Sequence, residues 1–144
     1  MANILVVQGA NMNWLGKREP AIYGHTTAEE LDKMLTDYAL ARGFALEIYY
    51  TNVEGEAIDR LYRACNDDTD VVVINPGGFT HAGYALRDCI KGIDLPVVEV
   101  HMTNHYARDI HSVSASAARG VIMGFGIKTY FRGIDAALDI LTAK

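Results

Sequence analysis

Glu99 and His101 stand two residues apart at the end of a short aliphatic run, and no other pair in this chain carries a sharper chemical signal. Side chains at that spacing on a strand point to the same face, so the carboxylate can orient the imidazole, hold one tautomer and raise its basicity. A glutamate among valines is costly to bury unless paired. A satisfied internal hydrogen bond would leave the same pattern, but a strand end is where such pairs serve as general acids. Tyr23 is the second candidate, with Arg18 five positions upstream. A phenol titrates near pH ~10, so it acts as a base at neutral pH only where cations favour the phenolate. Arg18 and Arg108 are the cations to supply that; a tyrosine packing its loop against the domain is the plain alternative. Asn75, followed by Pro76, Gly77 and Gly78, suits either ligand binding or a turn whose amide caps a helix. His105 and His111 lie close to His101 in sequence, but no carboxylate or thiolate completes a metal set at recognisable spacing. They read as solvent-facing or hydrogen-bonding histidines.

The elements that must hold these groups follow from hydrophobic period. Short β-branched runs alternate with stretches whose apolar residues repeat at helical spacing, the pattern of βαβ units around a parallel sheet. Strands are expected at Asn3–Gln8, Phe44–Thr51, Val71–Ile74, Val97–Val100 and Val121–Phe125. The first runs into Gly9 and Asn11, the third into Asn75 and the fourth into His101. In a parallel sheet those ends share one edge, where ligands bind in the crevice. A helix should begin near Thr26 or Thr27, each with a glutamate three residues on (Glu29, Glu30) as in a capping box. It should bury Leu31, Met34, Leu35 and Tyr38 and stop at Gly43. Ile58, Leu61, Tyr62 and Cys65 mark the buried stripe of the next helix, Leu86, Ile90 and Ile93 that of a third, and Ile134, Ala137, Leu138 and Leu141 that of the last. The near-continuous aliphatic run at Val71–Ile74 indicates cover on both faces of the sheet. The fold class is therefore α/β, a doubly wound, five-stranded parallel sheet with helices on both faces. Two stretches, 9–25 and 101–119, are too long and polar to be mere connections, and function should concentrate in them.

A length of 144 residues fits a single domain spanning residues 1–144. The net charge of −5, with both signs interleaved, argues against nucleic acid or an anionic membrane as partner. Small molecules are the expected ligands. Cys65 and Cys89 lack the spacing of a metal knuckle or redox pair and read as reduced, buried thiols, which suits the cytoplasm. The apolar run Ile4–Val7 falls far short of a signal peptide or membrane span. Gly9, Gly16 and Lys17 do not match the spacing of a phosphate loop, and Gly124 and Gly126 lack the third glycine of a dinucleotide fingerprint.

Several ordered blocks carry a wider resemblance: QGANMNWLGKREPAIYG (8–24), TNVEGE (51–56), Asn75–Gly77, Thr80 with His81, ALRD (85–88), EVHMTN (99–104) and GVIMGFG (120–126). Together they resemble the type II 3-dehydroquinate dehydratases over nearly the whole chain. The resemblance implies a flavodoxin-like domain, commonly assembled as a dodecamer of trimers, that converts 3-dehydroquinate to 3-dehydroshikimate and water without a cofactor. It implies that Tyr23, as phenolate, removes a proton beside the ketone, with Arg18 and Arg108 stabilising the phenolate. Asn11, through a bound water, would stabilise the enolate oxyanion, and His101, oriented by Glu99, would protonate the departing hydroxyl. Asn75, His101 and the backbone amides of Met102 and Thr103 would hold the substrate carboxylate, His81 the ring hydroxyls, and Asp88 would reach in from an adjacent subunit. The loop bearing Arg18 and Tyr23 would close over the substrate.

The chain also departs from that family's pattern. Gln8, Gly9, Ala10 and Asn11 stand for the usual Asn-Gly-Pro-Asn, Trp14 for a leucine, and Ala82, Gly83 and Tyr84 for small residues. After Arg108 the chain is shortened: Asp109 and Ile110 lead directly to His111 and Ser112, without the Phe-Arg segment whose arginine binds substrate hydroxyls. Arg119 is the nearest later arginine, and nothing in the sequence carries it to the pocket. Two alternatives follow, a lyase of the same fold acting on a related cyclic hydroxy-keto acid, and a noncatalytic ligand-binding or assembly module. The imine-forming route to the same product lacks an evident nucleophile, since Lys17, Lys33, Lys91, Lys128 and Lys144 fall in loop, helix-surface or terminal positions.

Overall fold

Each of the five β-branched runs becomes a strand of one sheet in the computed structural model, which describes residues 1–143. The strands are β1 (Asn3–Ala10), β2 (Ala45–Tyr50), β3 (Val71–Gly77), β4 (Val97–His101) and β5 (Gly120–Met123). All pair in parallel, in the order β2-β1-β3-β4-β5, which is the flavodoxin-like arrangement with its reversal of direction between β1 and β3. β1, β3 and β4 run past their aliphatic stretches to take in Gln8, Asn75 and His101, because the ladder continues there: Gln8 pairs with Asn75, Ala10 with Gly77, and His101 with Met123.

Helices cover both faces: α1 (Pro20–Tyr23), a single turn, then α2 (Ala28–Arg42), α3 (Glu54–Ala64), α4 (Tyr84–Gly92) and α5 (Lys128–Thr142). Residues of β1, β3 and β4 alternate between two buried layers. Ile4, Val6, Val71, Val73, Val98 and Val100 pack with Leu31, Leu35, Tyr130 and Ile134 of α2 and α5. Leu5, Val7, Val72, Ile74 and Val97 pack with Leu61, Leu86 and Ile90 of α3 and α4.

α2 starts and stops as its sequence requires. Thr27 Oγ1 accepts from Glu30 N and Thr27 N donates to Glu30 Oε1, both at 3.1 Å, completing the capping box. Gly43 ends it in the left-handed region, φ 77°, its N–H bonded to Ala39. Two expected stripes are displaced. Met34 is exposed, and α2 buries Ala28, Leu31, Leu35 and Ala39 instead. On α3, Tyr62 and Cys65 face outward, so only Cys89 is a buried thiol; the helix turns Ala57, Leu61 and Ala64 inward. Small alanines let a helix approach the sheet closely but contribute little to an apolar period, which is why the stripe was read about one position off. Arg60 joins that buried face, its guanidinium 2.7 Å from Glu47 and 3.4 Å from Asp67. Among the described residues no helix is long and apolar enough to cross a membrane.

Candidate active site

The carboxyl ends of β1, β3 and β4 open onto a cavity of about 350 Å³ at the reversal between β1 and β3, where ligands bind in sheets of this order. Gly77 sits at the crossing of the first two strands with φ 55°, and a Cβ there would lie 2.3 Å from the Ala10 carbonyl oxygen. Only glycine fits that approach.

β4 supplies the acid–imidazole pair. Glu99 is fully buried, and its Oε2 lies 2.6 Å from His101 Nε2. Ser112 donates to the same oxygen at 2.7 Å and Ser114 to Oε1 at 2.5 Å. Burial pushes the Glu99 carboxyl up, but hydrogen bonds from His101 and Ser114, the His101 charge and the Ser112 hydroxyl outweigh it, and its pKa lies below the usual carboxylate range. The group is therefore anionic at neutral pH. With Nε2 turned to that carboxylate, Nδ1 is the nitrogen His101 has left for a ligand.

The first long segment folds into a 3-10 turn at Met12–Trp14 and the single turn α1, entered through Pro20, whose fixed φ suits a first helical position. Asn11 and Glu19 take left-handed conformations, φ 74° and 40°, so the chain doubles back and brings both Arg18 and Tyr23 to the cavity. Arg18 and Arg108 lie 5.7 and 5.5 Å from the centroid of the half-buried Tyr23 ring. Arg108 also donates to Thr103 Oγ1 at 2.9 Å. Asn75, at the end of β3, caps no helix. Its Oδ1 accepts from Gly77 N at 3.0 Å, and its Nδ2 donates to the Tyr130 hydroxyl at 2.8 Å, which in turn donates to Gln8 Oε1 at 2.8 Å.

Asn11, Arg18, Tyr23, Asn75, His81, His101, Met102, Thr103 and Arg108 all line this one cavity, and Glu99 backs it through His101. Asp88 does not: it is exposed on α4, 3.4 Å from its own neighbour Arg87. Arg119 is exposed, bonded through its backbone N–H to Val97, and forms no part of the wall. Ile110 lines the cavity in the shortened segment after Arg108. Lys17, Lys33, Lys91 and Lys128 are absent from the lining, and Lys144 lies outside the described residues.

Five contributors escaped the reading of the sequence. Ser112 and Ser114 had no signal, since they meet Glu99 only through the path of the loop. Tyr130 and Gln8, which carry the hydrogen-bond chain from Asn75, were not singled out, although Gln8, a polar residue in an aliphatic strand, did carry a signal. His105 was expected to face solvent or to be hydrogen-bonded and proves otherwise. It is 7% exposed, its ring lies 3.9 Å from the His101 ring, and its Nδ1 has no partner. Burial, then the charges of His101 and Arg108, hold its pKa down at about 4. Among the described residues no cluster of three or more His, Cys, Asp or Glu is placed to hold a metal ion. What the arrangement offers is a phenol with two guanidiniums close to its ring and, in the same cavity, a carboxylate-backed imidazole.

Comparison with known proteins shows the family. A family model described as dehydroquinase class II matches residues 2–138. The chain is 42% identical to a 3-dehydroquinate dehydratase of Syntrophotalea carbinolica, covering all of this chain and 99% of that one. It is 46% identical to one of Nitrosomonas europaea, over 95% and 97% of the two chains. A solved type II dehydroquinase from Butyrivibrio crossotus superposes with a TM-score of 0.90 at 38% identity, over 95% and 97% of the two chains. Matched by the family model almost from end to end and by relatives well above the level at which fold alone is shared, this chain belongs to the class II dehydroquinases.

Proposed function

We propose that this protein is a hydro-lyase that dehydrates 3-dehydroquinate to 3-dehydroshikimate, with the whole chain acting as one domain. The observation that carries the reading is a single cavity in which Tyr23 lies against Arg18 and Arg108 while His101 is backed by the anionic Glu99. Eliminating a hydroxyl placed β to a ketone needs a base, a stabiliser for the enolate and an acid. Tyr23, as phenolate, takes the proton from the carbon beside the ketone, and the two guanidiniums balance its charge before the transfer. The electron pair moves to the ketone oxygen as an enolate, which the Asn11 amide stabilises through a bound water. On collapse of the enolate the carbon–oxygen bond breaks, and His101 delivers a proton to the departing hydroxyl, which leaves as water. Asn75, with the backbone amides of Met102 and Thr103, holds the substrate carboxylate, and His81 binds ring hydroxyls. Asp88, exposed and outside its own cavity, serves a neighbouring subunit's site in a homo-oligomer. The chemistry asks for no cofactor, and the cytoplasm is the expected setting.

Enone absorbance after mixing the protein with 3-dehydroquinate tests the reading. Tyr23→Phe and His101→Ala should each reduce kcat by about 10²–10⁴-fold with the fold intact by circular dichroism. A silent wild type would overturn the activity; turnover surviving both substitutions would overturn the assignment of base and acid.

A second reading is favoured by one observation, the aliphatic wall of Ile110 in the segment after Arg108. On that reading the substrate is a related cyclic hydroxy-keto acid with fewer hydroxyls. A kcat/KM higher for such an analogue than for 3-dehydroquinate would select it.

A further inference from the structure

We infer that His105 is a specificity-determining residue that donates a hydrogen bond from its imidazole to a ring hydroxyl of the bound substrate. The inference rests on the proposed dehydration and extends it to a residue to which that scheme gives no task. Three observations point to it. His105 lines the cavity between His101 and Arg108, yet is more than nine-tenths buried, so its outlet is the cavity itself. Its Nδ1 is sealed from solvent and bonded to nothing. Its ring lies against that of His101 at 3.9 Å with the planes inclined by 47°, which fixes its attitude in the wall.

A buried imidazole with neither ring nitrogen hydrogen-bonded among the described residues calls for a reason, and a wall position that needed only bulk would be met by a leucine or phenylalanine at no desolvation cost. The buried Nδ1 bears on the tautomer. A buried N–H without an acceptor is tolerated less readily than a bare lone pair, which favours the proton on Nε2 and makes Nε2 the donor of the inferred bond. Burial and the neighbouring positive charges keep the ring neutral at physiological pH. A neutral donor suits a hydroxyl oxygen. The anionic end of the ligand has its own partners in Asn75 and the backbone amides of Met102 and Thr103, and a positive charge beside His101 would oppose protonation of the acid.

The test compares 3-dehydroquinate with two analogues, each lacking one of the ring hydroxyls that elimination leaves in place. His105→Phe keeps a flat ring against His101 and removes both nitrogens; His105→Leu repeats the comparison should the phenylalanine variant not fold. For 3-dehydroquinate, KM should rise roughly tenfold or more with kcat changed far less, because a site built to pair a hydroxyl discriminates strongly. For one analogue the ratio of variant to wild type should fall toward unity, since the bond is already missing. His105→Asn, which keeps an N–H donor, should recover part of the loss for the full substrate only. An equal penalty for all three compounds, or none for any, would overturn the role of His105 while leaving the dehydration standing. A wild type that does not turn over 3-dehydroquinate would sink both.

Discussion

Three donors converge on the buried carboxylate of Glu99, and they decide in which pH range the imidazole has its partner. The folded pKa lies below the unfolded one, so the stability this group contributes is fully present above the unfolded carboxylate pKa and is lost as pH falls through the folded value. Ser114→Ala or Ser112→Ala removes a donor to the charged form, and a hydrogen bond to a charged group is worth about 1.5–3 kcal/mol. The Glu99 pKa should therefore rise with each hydroxyl removed. The acid limb of kcat against pH should then move to higher pH in each variant, further in the double variant, with the rate at neutral pH much less altered. The midpoint of acid unfolding should move the same way. Superimposable acid limbs would show that the serines only fill space. The core of this site was legible because two residues apart on a strand means one face, an inference needing no tertiary knowledge. The serines and His105 were not, because they sit in a segment without period, and their contacts depend on where the loop closes.

A helix and two strands share the fully buried chain of hydrogen bonds from Asn75 of β3 through Tyr130 of α5 to Gln8 of β1. Tyr130→Phe leaves the Gln8 amide without its one partner and frees the Asn75 amide to turn. An unpaired buried group costs about 1–3 kcal/mol, so urea unfolding should show a loss of that order. KM should rise as well if Asn75 binds the carboxylate. Adding Gln8→Leu removes the orphaned amide, and the double variant should regain stability while KM stays high. Recovery of both together would mean that the chain of bonds serves packing alone. Thr27→Ala is the contrasting case: it breaks the capping box of α2, away from the cavity, and should cost about 1 kcal/mol with kcat and KM unchanged. That helix was readable to within a residue or two at each end because its cap and its stop are local chemistry. α3 was read on a shifted face because alanines carry its contact with the sheet, and the burial of Arg60 depends on Glu47 and Asp67 lying within reach, a fact of tertiary structure.

Sheet order decides at the scale of the whole molecule which groups share a cavity, and it explains why nine of the proposed site residues meet in one place while Asp88 does not. Asn11 follows β1, Asn75 lies near the end of β3 and His101 ends β4, neighbours in the sheet, so parallel pairing alone puts them on one edge. Asp88 lies exposed on α4, fixed by the helix outside the cavity of its own chain. If it acts, it acts on another copy, and a mixing experiment decides the matter. Asp88→Ala chains keep His101 but offer their neighbours no carboxylate; His101→Ala chains lack the acid but supply Asp88. Each variant assembled alone should be impaired. Unfolded together in equal amounts and reassembled, they should form some sites with His101 from one chain and Asp88 from the next. If assembly is random and each site draws on one neighbour, half the sites carry the acid and half of those face an intact carboxylate, so about a quarter of wild-type activity should return. If Asp88 acts within its own chain or not at all, the mixture can give no more than the mean of the two variants measured apart, because every site with an intact His101 then keeps the defect of its own chain.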